Sequence, residues 1–106
     1  MTKTTPSPKK NGLRPVHPGE VLREEYLKPL GLSANALSVA LRVPASRIND
    51  IVLERRGVTV DTAMRLTRYF GGDVHSWINL QSAYDIKTAA RALARRVERE
   101  VQTMHA

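Results

Sequence analysis

Residues 33–52 read SANALSVALRVPASRINDIV. Ser33 suits the N-cap of a short helix, because its hydroxyl can accept from a backbone N–H of the first turn. Leu37, Ala40 and Leu41 follow at i, i+3 and i+4, an apolar stripe on one helical face. Val43 precedes a proline and is pushed toward an extended conformation, so this helix stops there. Pro44 then opens a second helix, whose Ile48, Ile51 and Val52 share one side. Two short helices separated by a few residues predict a helix-turn-helix.

The flanking segments extend the same helical logic. HPGEVLREEYL, residues 17–27, places Pro18 in a first turn and Glu20 near the positive end of the helix dipole. Val21, Leu22 and Tyr26 recur at helical spacing, and Pro29 with Gly31 closes the helix. After a loop around ERRG (54–57), Thr59 caps a further helix with Asp61 in its first turn and Ala63, Leu66 and Phe70 inward. Gly71 and Gly72 end it. Asp73 begins a fifth helix carrying Trp77, Leu80 and Tyr84, all read as core. No segment alternates like a strand and no internal repeat is present, so the fold is all-α with five helices. Beyond Tyr84, Ile86, Ala90, Leu93, Val97, Val101 and Met104 continue a narrow apolar stripe, flanked by Lys87, Arg91, Arg95, Arg96 and Arg99. Such a seam serves a protein–protein contact, packs back on its own core, or frays near the end.

The domain organisation is a flexible basic tail at 1–15, a helix-turn-helix domain at 16–84 and a helical extension at 85–106. The tail, MTKTTPSPKKNGLRP, carries three prolines and Lys3, Lys9, Lys10 and Arg14, with too little apolar surface to order itself. The 106 residues hold 17 basic against 10 acidic side chains, a formal net charge of +7 that favours a polyanionic partner. With no cysteine, disulfides, thiolate zinc sites and cysteine nucleophiles are excluded. His17, His75 and His105 lack metal-ligand spacing, and no catalytic set or phosphate-cradling loop is visible. The expectation is a non-enzyme without cofactor or metal. No apolar run reaches the length of a membrane span, which points to the cytoplasm and, for a DNA binder, the nucleoid.

At 100° per residue, the apolar side of the third helix centres on Ile48, Ile51 and Val52. Ser46 and Asp50 fall near the opposite side, with Arg47 and Asn49 flanking. An outward polar side of this kind enters the DNA major groove, where Arg grips guanine, Asn reads adenine and Ser meets several acceptors. Asp50 is repelled by phosphates and needs a cytosine amino group or a neighbouring arginine. Leu53 meets a thymine methyl or is plain surface. Arg42 in the turn and Asn35 in the first turn of helix two suit phosphate oxygens. Arg55 and Arg56 suit phosphates or a local pair with Glu54. Arg65 and Arg68 on helix four are read as surface residues.

From His17 to Tyr84 the chain resembles HigA-type antitoxins, also called the VapI type, within the XRE family of Cro/C1-like repressors with a lambda-repressor-like domain. The resemblance rests on HPGEVLREEYLKPLGLS, NALSVALRVPASRINDI, TVDTAMRLTRYFGG and WINLQSAYD, in that order. It implies a HigB-type toxin partner, an mRNA-cleaving ribonuclease held inactive by the antitoxin. It also implies a homodimer that represses its own operon on double-stranded operator DNA carrying an inverted repeat. The alternative is a stand-alone XRE-family regulator with no toxin. Carried onto matching positions, the reading residues are Ala45, Ser46, Arg47, Asn49 and Asp50. Ile86, Leu93, Val97 and Val101 are the expected dimer or toxin interface. One departure is Arg42, which stands where many helix-turn-helix proteins carry glycine and so implies a different turn geometry.

Overall fold

A computed structural model describes residues 14–104, and the helical order follows the sequence pattern. Helix α1 spans residues 18–30: α-helical Pro18–Val21, a π-helical Leu22–Leu27 and α-helical Lys28–Leu30. It is followed by α2 (Ala34–Leu41), α3 (Ala45–Val52), α4 (Val60–Phe70) and α5 (Val74–Glu100). No strand occurs among the described residues. Most of the tail lies outside them, as does His105. Arg14 is described, and its guanidinium pairs with Glu20 at 2.8 Å rather than standing free.

The helix boundaries have local causes. His17 is the N-cap of α1, its Nδ1 accepting from the Gly19 N–H at 2.8 Å. The π segment precedes Pro29, which has no N–H to give and whose ring crowds the carbonyl one turn back. Widening the coil there, with the Lys28 N–H donating to the Arg23 carbonyl, admits the proline without breaking the helix. Gly31 ends α1 in the left-handed region at φ 62°. Ser33, Thr59 and Asp73 cap α2, α4 and α5 by accepting from Ala36, Thr62 and His75 N–H groups. Pro44 is the extended cap residue of α3, one position ahead of the helix it was expected to open.

Leu22, Leu27, Leu37, Leu41, Ile48, Ile51, Val52, Val58, Ala63, Leu66 and Trp77 form one core. Tyr26 stacks at its edge against Phe70 and Trp77, with ring centroids 4.8 and 5.4 Å apart. The loop between α3 and α4 docks on α5 through Gln81, whose Oε1 accepts from the Val58 N–H at 2.7 Å.

Of the readings of the C-terminal stripe, packing back fails and fraying near the end holds. The stripe beyond Tyr84 does not fold back: residues 85–100 are all exposed, with Ile86 at 68 % and Val97 at 51 % of full accessibility. Nor does the helix carry the whole stripe. It ends at Glu100, Val101 is extended at φ −116° and ψ 118°, and Met104 lies beyond it. β-Branched Val101 and Thr103 are weak helix formers, and a terminal turn with no tertiary contact has nothing to hold it.

Candidate nucleic-acid interface

Helix α3 lies across the core with Ile48, Ile51 and Val52 buried, so its opposite side is presented outward. Ala45 and Ser46 are exposed there, Arg47, Asn49 and Asp50 are half-buried, and Leu53 is exposed just beyond. The cap residue Pro44 offers no side-chain acceptor, which leaves the positive end of α3 open for an anion.

The half-buried polar residues are held from either side. The Asn49 amide donates to the Asn35 side-chain oxygen and to the Ala45 carbonyl, both at 2.8 Å. This joins the first turn of α2 to the middle of α3. Arg47 is ion-paired to Asp61 in the first turn of α4. Asp61 also receives Arg65 Nε at 3.1 Å, and together these arginines hold its carboxyl below the usual carboxylate range, Arg47 contributing most. Asp50 receives Arg55 at 3.1 Å and Arg56 at 3.6 Å. The aspartate that phosphates would repel is therefore neutralised from within the protein.

That pairing gives Asp50 the neighbouring arginine it needs and replaces the alternative of a local pair with Glu54: Arg55 and Arg56 turn to Asp50. The backbone of Glu54 is left-handed at φ 62°, which ends α3 and swings this carboxylate toward Arg23 of α1, 3.4 Å away. The turn between α2 and α3 corrects one expectation. Arg42 adopts φ 63° and ψ 44°, the left-handed conformation a glycine would supply, so the turn geometry is unchanged by the substitution. Its N–H and that of Val43 close the end of α2 on the Val39 and Ser38 carbonyls at 3.2 and 3.1 Å. These bonds outweigh a strain of about 1 kcal/mol. The Arg42 side chain is exposed, and among the described residues it has no ion-pair partner.

Sequence reasoning missed the supporting arginines. Arg23 of α1 donates to the Val52 carbonyl, and Arg65 of α4 donates to the Leu41 carbonyl at 2.9 Å. The C-terminus of each helix of the pair is thus held by an arginine from another helix, where the dipole favours a cation. Nothing in the spacing of Arg23 or Arg65 signals these long-range contacts.

No protein-family model matches the chain. The virulence-associated protein I of Dichelobacter nodosus is 66 % identical over 80 residues, covering 76 % of this chain and 74 % of the relative. The structure of the Pseudomonas aeruginosa antitoxin HigA, solved with the higBA promoter, superposes with a TM-score of 0.82. It is 46 % identical and covers 86 % of this chain and 99 % of that one. The chain belongs to the HigA family of antitoxins. A HigA-type helix-turn-helix is therefore the frame for Asn35, Arg42, Ala45, Ser46, Arg47, Asn49 and Asp50, which the fold gathers around α3. A further relative, the Escherichia coli K12 HTH-type transcriptional regulator YbaQ, is 35 % identical over 102 residues, covering 81 % of this chain and 90 % of that protein.

Proposed function

We propose that the protein is an antitoxin that neutralises a HigB-type mRNA-cleaving toxin and, as a homodimer, represses its own operon by binding an inverted repeat upstream of it. The observation that carries the DNA-binding half is the polar outer side of α3, flanked by Arg42, Arg55 and Arg56, in a chain 46 % identical to a HigA solved with promoter DNA. In this reading Arg47 and Asn49 contact base edges. With its amide hydrogens engaged by Asn35 and Ala45, Asn49 offers its carbonyl oxygen to an adenine or cytosine amino group. Ala45 and Ser46 border the groove, and Asp50 sets Arg55 and Arg56 in place. Asn35, Arg42, Arg55 and Arg56 meet phosphates.

The test is fluorescence anisotropy at physiological salt, with the DNA upstream of the coding sequence against a scrambled duplex. Arg47→Ala combined with Asn49→Ala is expected to weaken upstream-DNA binding, each lost base contact costing about 1–3 kcal/mol. The helical circular-dichroism spectrum should be retained. Unchanged affinity would reject α3 as the reader.

A second reading, a regulator without a toxin, is favoured by the likeness to the regulator YbaQ across 90 % of that protein. Co-expression with the product of the adjacent gene separates the two: a stable complex that stops RNA cleavage supports the antitoxin, and its absence the stand-alone regulator.

A further inference from the structure

Arg47 is the arginine on the outward side of α3, yet it is not loose. Its Nη1 is bonded to Oδ2 of Asp61, which lies on a different helix. Asp61 is in turn fixed by Arg65 Nε, at 3.1 and 3.2 Å from its two oxygens. Arg65 is fixed by its own bond to the Leu41 carbonyl at the end of α2. A continuous relay therefore runs from α2 through Arg65 and Asp61 to Arg47 on α3. The carboxylate stands in the first turn of α4, where the helix dipole favours its ionised form. Beside it lies an open cleft of about 450 Å³ walled by Arg47, Arg56, Thr59 and Arg65.

An unrestrained arginine at this place is a poor discriminator. Its long side chain has many rotamers and its charge finds a phosphate on any sequence. Specificity is a difference between two affinities, so a device that lowers binding to wrong DNA serves as well as one that strengthens binding to the right DNA. We propose that Asp61 is a positioning residue of the reading surface, holding the Arg47 guanidinium toward base edges and away from the phosphate backbone. This rests on the operator-binding reading above. The carboxylate engages Nη1 of the guanidinium and leaves the remaining N–H groups for a base. Its negative charge opposes a phosphate coming to the same spot.

The test compares the wild type with Asp61→Asn and Asp61→Glu by anisotropy titrations across a salt series, on the upstream duplex and on its scrambled counterpart. With Asp61→Asn, affinity for the scrambled duplex is expected to rise about 3- to 10-fold. Its log–log salt slope should steepen by about one unit as Arg47 gains a phosphate. Affinity for the upstream duplex should stay near the wild-type value, so the ratio of the two falls about 3- to 10-fold. Asp61→Glu, which keeps the charge, should restore part of the ratio. In the Arg47→Ala background, Asp61→Asn should leave the ratio unchanged. Asp61 is exposed and its pairs lie on the surface, so the variants are expected to fold, which circular dichroism checks. Equal gains on both duplexes would mean a plain charge effect and overturn the proposal, as would a ratio that shifts just as much without Arg47. A wild type that binds both duplexes equally would reject operator reading itself, and the role of Asp61 with it.

Discussion

His17 combines three jobs in one ring. It is 3 % exposed, caps α1 through Nδ1, and meets the Tyr84 ring edge-on with centroids 4.8 Å apart. Burial pushes its pKa below the ordinary imidazole range, opposed by Glu54 and Asp85 and reinforced by Arg23. A proton on Nδ1 would also abolish the cap. The unfolded chain takes up that proton near pH 6.5 and the folded chain only at lower pH, so stability is full above about 6.5 and declines as pH falls below it. The thermal midpoint should drop between about pH 7 and 5, and His17→Asn, which keeps a cap without titrating, should flatten that drop. A wild-type midpoint that rises on acidification would contradict this. At Arg42 the backbone is left-handed, so Arg42→Gly should relieve strain and stabilise by about 0.5–1 kcal/mol in chemical denaturation. If its side chain meets a phosphate, the same variant lowers the salt slope of DNA binding by about 0.9.

The start of α1 lies hard against the end of α3. A Cβ built on Gly19 would come within 1.8 Å of the Ile51 carbonyl oxygen, a backbone atom that cannot swing aside. Gly19→Ala should therefore force α1 off α3 and cost on the order of 3 kcal/mol or more, measured by urea unfolding. A loss below about 1 kcal/mol would show that the two helices separate easily. The same junction carries the Arg23 contacts to the Val52 carbonyl and to Glu54. Helix α1 thus fixes the C-terminal end of the reading helix, while Asp61 and Arg65 of α4 act near its start. The HPGE run was legible as a helix start from Pro18 and Glu20. That its glycine is a contact point was not, because the atom it faces lies 32 positions along the chain.

Taken whole, the molecule measures 54 × 31 × 22 Å, its long dimension reflecting the 27 residues of α5. The far half of α5 exposes Ile86, Leu93 and Val97, an apolar seam of the kind a second helix would cover. We propose that this seam is a dimer or toxin interface; a dimer would match a two-fold operator with half-sites about 34 Å apart. Truncation after Tyr84 is expected to leave a folded, helical chain, since all the core residues precede that point, and to abolish dimerisation or toxin binding. Sedimentation or light scattering checks it, and a truncated protein that remains dimeric and still binds the toxin removes the seam from consideration. Among the described residues no helix is long and apolar enough to cross a membrane.

The five helices and the helix-turn-helix were readable in the sequence because each depends on neighbours within about one turn. The caps Ser33, Thr59 and Asp73, the terminating Gly31 and Gly71, and the 3.6-residue period of the core face all act locally. The outward side of α3 followed from the same period. The partners of those outward side chains were decided only in three dimensions. Arg47 finds Asp61 14 positions away, Asn49 finds Asn35 at the same separation, and Arg23 reaches Val52 across 29. Ion pairs between long side chains depend on which helix ends are brought together by packing of the core, and no periodicity in the chain encodes that distance.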